Sequence, residues 1–324
     1  MKRLFCFLLL FCLVMSGSTG LAETQPKPIE LIPYDELPPL QEGQHHYLML
    51  CVDQWKAKSW NLGDSDGIMI VTLDTRAHRV MLTSIIRDAL VQHPDGKISR
   101  INYIAKKFGP EALCQTISQH LGVKIEKYIL FGFSQIQDII DYMGGVDITV
   151  NAEEAAYLRR YPINRNATTP ALRYSGTYHF NGHAAVIYMR IRKAGGHGDF
   201  TRTQRARRVL STLADQCRNF TWEDAQALVN SIAEHTTLTN INTDEMLQAA
   251  RYAYDLRDST IEELRIPPDG ATRPITHWGM SVQELDWNVC RNVMADFLVN
   301  SFLVLDEETD AEAIDDFGSF SDLD

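Results

Sequence analysis

Ile187–Arg208 reads IYMRIRKAGGHGDFTRTQRARR: six arginines, Arg190, Arg192, Arg202, Arg205, Arg207 and Arg208, around a glycine-rich turn whose one acid is Asp199. Upstream of the turn, Ala184 to Arg192 alternates with a period of two. That predicts a strand with Tyr188, Arg190 and Arg192 on one face and Ile187, Met189 and Ile191 on the other. Gly195, Gly196 and Gly198 end it. From Thr201 the spacing becomes helical, with Ala206, Val209, Leu210, Leu213 and Cys217 on a buried stripe; Arg202 falls on the same side one turn earlier, with Arg205 beside it. Arginine in a first helical turn opposes the helix dipole at a cost of about 0.3–1 kcal/mol each. A phosphate or pyrophosphate at that helix start reverses the sign, because free N–H groups and guanidinium forks then act together. The stretch predicts an anion site; the plainer reading is a solvated basic turn.

The 324-residue chain as a whole is 45% hydrophobic, ample for a core. Met1-Lys2-Arg3, an apolar run from Leu4 to Met15 and a small-residue end at Gly20-Leu21-Ala22 have the layout of a secretory signal cleaved after Ala22. The apolar run falls short of the roughly 20 residues that span a bilayer, so removal is favoured over an uncleaved N-terminal anchor. Four cysteines follow, Cys51, Cys114, Cys217 and Cys290, far apart and without a metal or redox spacing. The net charge is −11, but nine acids and no base lie in 306–324, which leaves −2 for the rest. That tail reads as disordered. Nucleic acid is a poor partner for such a balance in an exported chain.

Residues 23–44 hold five prolines and read as an extended spacer before the domain, 45–305. Tyr47–Val52 is a strand delivering Asp53 at its end, where sites form in α/β sheets. Ile68–Leu73 and Arg79–Ile86 are strands joined by a hairpin-length turn, the second reaching Arg87 and Asp88. Helix to His120, strand Lys127–Phe133, helix to Tyr142 and strand Val146–Val150 then alternate, as in an α/β domain. Arg159–Gly176 is a long loop of the kind that forms lids or entrances. Two amphipathic helices (Thr221–Glu234, Thr243–Leu256), a strand at Ile261–Ile266 and a mostly helical Val282–Leu305 complete the chain.

The ordered set Asp53, Ser65-Asp66, Ser84-Ile85-Ile86-Arg87-Asp88, Arg100-Ile101-Asn102, Gly144-Gly145-Val146, Tyr188-Met189-Arg190-Ile191-Arg192 and Gly198-Asp199-Phe200-Thr201-Arg202-Thr203-Gln204-Arg205 resembles the LytR-CpsA-Psr family of bacterial envelope proteins. The resemblance is strong over 45–220 and looser to 305. It implies an α/β/α sandwich whose mixed sheet and helices enclose an apolar tunnel for a polyprenyl chain, with the pyrophosphate at the mouth. It also implies magnesium-dependent transfer of a glycopolymer from its lipid carrier to a peptidoglycan hydroxyl at the outer face of the membrane. By position, Asp53 and Asp66 match metal-linked acids; Arg87, Arg190, Arg192, Arg202 and Arg205 match pyrophosphate-binding arginines, with Asp88 and Asp199 alongside. Phosphoryl transfer asks mainly for charge neutralisation, which planar cations and one hard-metal site supply. Three positions depart from the pattern: Asp64 stands where arginine is usual, Gly67 where threonine is common and Ala206 where a glutamine follows the last arginine. Asp64 reverses a local charge and either turns outward, joins the metal site or weakens substrate binding. The alternatives to a transferase are a non-catalytic binder of the lipid-linked polymer and a polyprenyl pyrophosphatase. No basic helix-turn-helix supports a transcriptional role.

Overall fold

In chain order the elements are β1 Gln44–Val52, β2 Ser65–Asp74, β3 Arg79–Ile85, β4 Leu90–Gln92, β5 Ile98–Arg100, α1 Ile104–Phe108, α2 Pro110–Leu121, β6 Lys127–Phe131, α3 Phe133–Tyr142, β7 Val146–Val150, α4 Ala152–Leu158, β8 Gly176–Phe180, α5 Gly182–Met189, α6 Asp199–Gln216, α7 Trp222–His235, β9 Leu238–Thr239, α8 Thr243–Asp255, β10 Ile261–Ile266, β11 Thr272–His277, β12 Met280–Leu285 and α9 Trp287–Val299. The computed structural model describes residues 25–55, 57–59, 61–159, 172, 174–192, 194 and 199–299. The leader, the acidic tail and most of the 159–176 loop lie outside them.

Six strands form a mixed sheet in the order β10-β3-β2-β1-β6-β9. The β2–β3 hairpin is antiparallel as its short turn predicts, and β1 runs antiparallel to β2 but parallel to β6. On β1 every second residue is buried: Leu48, Leu50 and Val52 pack with Ile70, Met81 and the inner faces of α2 and α9 into a closed core. The opposite face carries Tyr47, Met49 and Cys51, paired across to Val71, Met69 and Gly67. Helices α3, α5, α6, α7 and α8 cover that side. The α3, α5 and α6 helices share a second core with the β7–β8 hairpin, built on Ile140, Val146, Ile148, Phe180, Tyr188 and Val209. The architecture is the three-layer α/β/α sandwich expected.

Three sequence expectations need correction. The segment Ala184–Arg192 is not a strand: Gly182–Met189 is a helix, with the Asn181 side chain accepting the Ala184 N–H at 2.9 Å. Its residues are apolar on all sides because it is buried, so the period of two carries no facial information. Gly182 is required there, since a Cβ would lie 2.0 Å from the Gln137 carbonyl oxygen of α3. Second, Val282–Leu305 is not mostly helix. It begins in the β11–β12 hairpin, and Asp286, accepting the N–H groups of Asn288 and Val289, starts α9 only at Trp287. Third, the described part of the proline-rich spacer is docked on the domain: the Ile32 N–H donates to the Gln119 carbonyl at 3.1 Å, and Arg291 donates to the Glu30 carbonyl at 3.0 Å. Extended proline-containing backbone leaves such groups free to bond elsewhere.

Candidate functional site

β2 begins with Ser65-Asp66, and Asp66 is where the arginines converge. Arg87 Nη1 lies 2.6 Å from Asp66 Oδ1, and Arg192 Nη2 and Arg202 Nη1 lie 3.1 and 3.0 Å from Oδ2. Arg202 also donates to the Asp66 backbone carbonyl at 2.7 Å. These four groups come from the start of β2, the end of β3, the segment after α5 and the first turn of α6. Burial alone would push the Asp66 carboxyl up, but the guanidiniums of Arg202, Arg87 and Arg192 outweigh it and hold the carboxyl below its usual range. With side chains 6% and 7% exposed, Arg202 and Asp66 depend on each other: removing one partner of such a buried pair costs about 3–5 kcal/mol. The acid also removes the dipole penalty for an arginine in the first turn of α6.

Asp53, at the end of β1, is more open. It pairs with Arg190 at 3.4 Å, both side chains being 44% exposed. Arg190 caps the C-terminus of α5, where a cation suits the negative end of the helix, and its guanidinium lies 4.3 Å above the Phe133 ring. Asp88 lies one step back, 3.7 Å from Arg87 Nε and 3.4 Å from Arg100 Nη1. Asp199 opens α6; its side chain is outside the described residues.

Arg205 departs from expectation. Its guanidinium is buried, giving Nε to Glu154 at 2.7 Å, Nη1 to the Ile191 carbonyl at 2.9 Å and Nη2 to the Ala194 carbonyl at 2.8 Å. Glu154 is otherwise the reciprocal cap of α4 with Asn151. Arg205 therefore fastens the segment carrying Arg192 and is turned away from Asp66 toward Glu154. Spacing put it beside Arg202; only the tertiary position of Glu154 turned it inward.

Beside the cluster opens a cavity of about 490 Å³, whose walls include Asp66, Arg190 and Arg202 at one end. From there it follows β2 past Met69 and Val71 to Leu73, roughly 24 Å at the strand rise. The far wall is α6, through Ala206, Val209 and Leu213, with Ile140 of α3, Ile232 of α7 and Met246 of α8. The stripe read from the α6 sequence thus lines a cavity. Cys51 lies at its neck, and burial together with the Asp66 charge pushes its thiol up to about 12, so it stays protonated and is no nucleophile. A Cβ on Gly67 would stand 2.9 Å from the Cys51 Cβ, which accounts for glycine in place of threonine. Asp64 turns away from the cluster and meets Lys106 Nζ at 3.0 Å, so a lysine outside the motifs balances its charge.

Among the described residues no three potential metal ligands cluster, and no helix is long and apolar enough to cross a membrane. The arrangement can hold a diphosphate in a fan of guanidiniums while an apolar chain lies in the cavity.

Known proteins share this fold. The chain is 28% identical to a polyisoprenyl-teichoic acid–peptidoglycan teichoic acid transferase TagU of Bacillus mycoides, over 64% of this chain and 64% of that one, so it spans less than two thirds of that relative's length. It superposes on the crystal structure of B. subtilis TagV with a TM-score of 0.62 at 23% identity, covering 81% of this chain and 100% of the other. It superposes on a LytR-CPS2A-psr family protein, YwtF (TagT), with bound octaprenyl pyrophosphate lipid, with a TM-score of 0.60 at 17% identity over 80% of this chain and 90% of the other. The LytR_cpsA_psr family model matches residues 22–292, across the sheet, the arginine cluster and the cavity, and the chain belongs to that family.

Proposed function

We propose that this protein transfers a glycopolymer from a polyprenyl pyrophosphate carrier to a peptidoglycan hydroxyl. The observation that carries the reading is the guanidinium fan of Arg87, Arg192 and Arg202 at the neck of the apolar cavity. The prenyl chain lies along β2, where burial of each methylene contributes about 0.8 kcal/mol, and the diphosphate draws the arginines gathered at Asp66. The acceptor oxygen forms a bond to the phosphorus that bears the polymer. The bond from that phosphorus to the bridging oxygen breaks, and polyprenyl phosphate leaves with the electron pair, its charge met by the arginines. Asp53, half-exposed beside Arg190, accepts or orients the hydroxyl proton.

Asp53 and Asp66 are the carboxylates that would hold magnesium. A hard cation bound by one or two carboxylates completes its shell with substrate phosphate oxygens and water, which suits a donor set of two acids next to a diphosphate site. When bound, it would neutralise phosphate charge. The relative's name makes a teichoic acid the first polymer to test. Export with Met1–Ala22 as leader, and work at the outer face of the membrane, complete the proposal.

The test is to incubate the purified protein with prenyl-pyrophosphate-linked polymer, magnesium and peptidoglycan. Covalently attached polymer and polyprenyl phosphate are the expected products. Free polymer phosphate without attachment would indicate a pyrophosphatase, and binding without turnover a carrier. Arg202→Ala is expected to lower transfer about 10²–10³-fold, the usual effect of losing one group that stabilises developing charge; unchanged transfer would remove the basis of the proposal.

A further inference from the structure

A second cavity, of about 480 Å³, lies beside the Asp53 loop, with Asp64, Lys97, Tyr103, Lys106, Lys107 and Trp278 in its walls. Asp64 joins it to the reaction centre: its backbone carbonyl accepts the Asp53 N–H at 2.8 Å, and its carboxylate receives Lys106 at 3.0 Å. The feature that calls for explanation is Trp278. Strands β11 and β12 pair as far as His277 and Met280, so Trp278 and Gly279 alone form the turn, with φ of +49° and +69°. Two-residue turns with both central residues left-handed favour Asn-Gly; a bulky side chain there is held in a conformation its Cβ disfavours. Burial does not account for it, because Trp278 is 54% exposed. The indole stacks on His277 with centroids 4.6 Å apart and planes at 24°, and it also borders the cavity. The chain thus keeps an aromatic plate, strained in its backbone, over a pocket walled by Asp64, Tyr103 and three lysines.

We propose that this cavity is a saccharide subsite in which the acceptor glycan strand lies, a pyranose ring resting on Trp278. Such a ring offers apolar C–H faces to an indole and hydroxyls at its rim. The Lys106–Asp64 and Lys107–Asp95 pairs, at 3.0 and 2.8 Å, supply adjacent donors and acceptors for those hydroxyls. The same pairing selects the acceptor: two of the three lysines are already neutralised, so the pocket has little net charge to draw a polyanionic donor polymer, whereas a glycan strand needs none. The departure at Asp64 then has a purpose: its backbone carbonyl, which any residue would supply, holds the Asp53 loop, while the acid side chain furnishes an acceptor in the pocket. The word acceptor rests on the transferase reading; saccharide binding does not.

The experiment uses the full chain without any lipid donor and titrates a soluble peptidoglycan glycan tetrasaccharide, stripped of peptide, followed by saturation-transfer NMR. Saturable binding is expected, weakened about tenfold or more, ~1.4 kcal/mol, by Trp278→Asn. Asparagine is the residue the turn favours, so the melting midpoint of that variant is expected to hold or rise, separating lost binding from lost fold. Trp278→Tyr keeps a ring and is expected to retain most of the affinity. Absence of saturable binding, or equal binding by Trp278→Asn, overturns the proposal. So does Trp278-dependent binding of poly(glycerol phosphate) in place of the tetrasaccharide, which would make the pocket a donor subsite. Trp278-dependent glycan binding in a protein that transfers nothing would leave the subsite standing and the proposed function refuted.

Discussion

The two faces of the central sheet come from the same strands and the same alternation, yet one closes on a packed core and the other encloses a cavity. On β1, Leu48, Leu50 and Val52 are fully buried against α2 and α9, while Met49 and Cys51 between them face open volume. The difference lies in how the opposite layer is attached. Trp287, Cys290, Met294 and Phe297 of α9 reach the sheet with apolar side chains. Helix α6 reaches it with arginines: Arg202 to Asp66, and Arg207 to Ser84 and, at 2.7 Å, to Glu263 of β10. Long side chains with polar anchors act as pillars and keep the helix from collapsing onto the strands. An apolar lumen is stable beside a packed core when the separating contacts are polar and fixed.

That contrast can be broken by neighbouring substitutions on one strand. Leu50→Ala is expected to cost about 2–5 kcal/mol, since it opens a hole in a close-packed core. Met49→Ala, one residue away, is expected to cost about 1 kcal/mol or less, because its side chain already lacks partners on the lumen side. Denaturant midpoints at constant slope measure both, and equal costs would mean the faces do not differ.

Acid should act on the packed face first. His46, bonded to Thr72 at 2.8 Å, and His120, bonded to the Thr116 carbonyl at 2.7 Å and to the Gln92 N–H at 3.1 Å, are both buried, and burial lowers each to about 4 from 6.5. The unfolded chain binds these protons first as pH falls, so their contribution is complete above about 6.5 and declines by about 1.4 kcal/mol per pH unit for each histidine down to about 4. The Asp66 carboxyl is shifted below its ordinary 3.8, so its contribution is present above 3.8 and is lost only as pH falls through that lowered value. Unfolding free energies at pH 7, 6 and 5 should therefore fall, and replacing His46 and His120 with glutamine should flatten the slope. A slope unaffected by those changes would place the acid sensitivity elsewhere.

The smallest effect on stability is expected from filling the lumen. Met49→Trp should leave the unfolding midpoint within about 1 kcal/mol while weakening prenyl pyrophosphate binding about tenfold, ~1.4 kcal/mol, as read by calorimetric titration. A large loss of stability would show that the lumen face is packed after all.

The α6 stripe, the strand ends bearing Asp53 and Arg87, and the β2–β3 hairpin were legible in the sequence, because each depends on local period or turn length. Less was legible where burial equalises all faces. The helix Gly182–Met189 passes for a strand because it is apolar from Ala184 onward, and its clearest signal was Asn181 at the cap. Similarly, Asp286 marked the start of α9, and the hairpin before it held too few alternating residues to stand out. Lys106, which balances Asp64, belongs to no motif.

The sequence by itself determined the layered α/β class, the concentration of arginines in one stretch and the apolar stripe of α6, since these follow from residue type and spacing along one element. Tertiary structure alone decided that Arg202 pairs with Asp66 at the cavity wall while Arg205, three residues on, is turned into a buried pair with Glu154, and that the stripe borders a cavity. The physical reason is that a guanidinium goes to whichever carboxylate the fold brings within reach, and whether an apolar face is filled depends on how far the opposing layer is held away. Both are properties of pairs of elements distant in the chain.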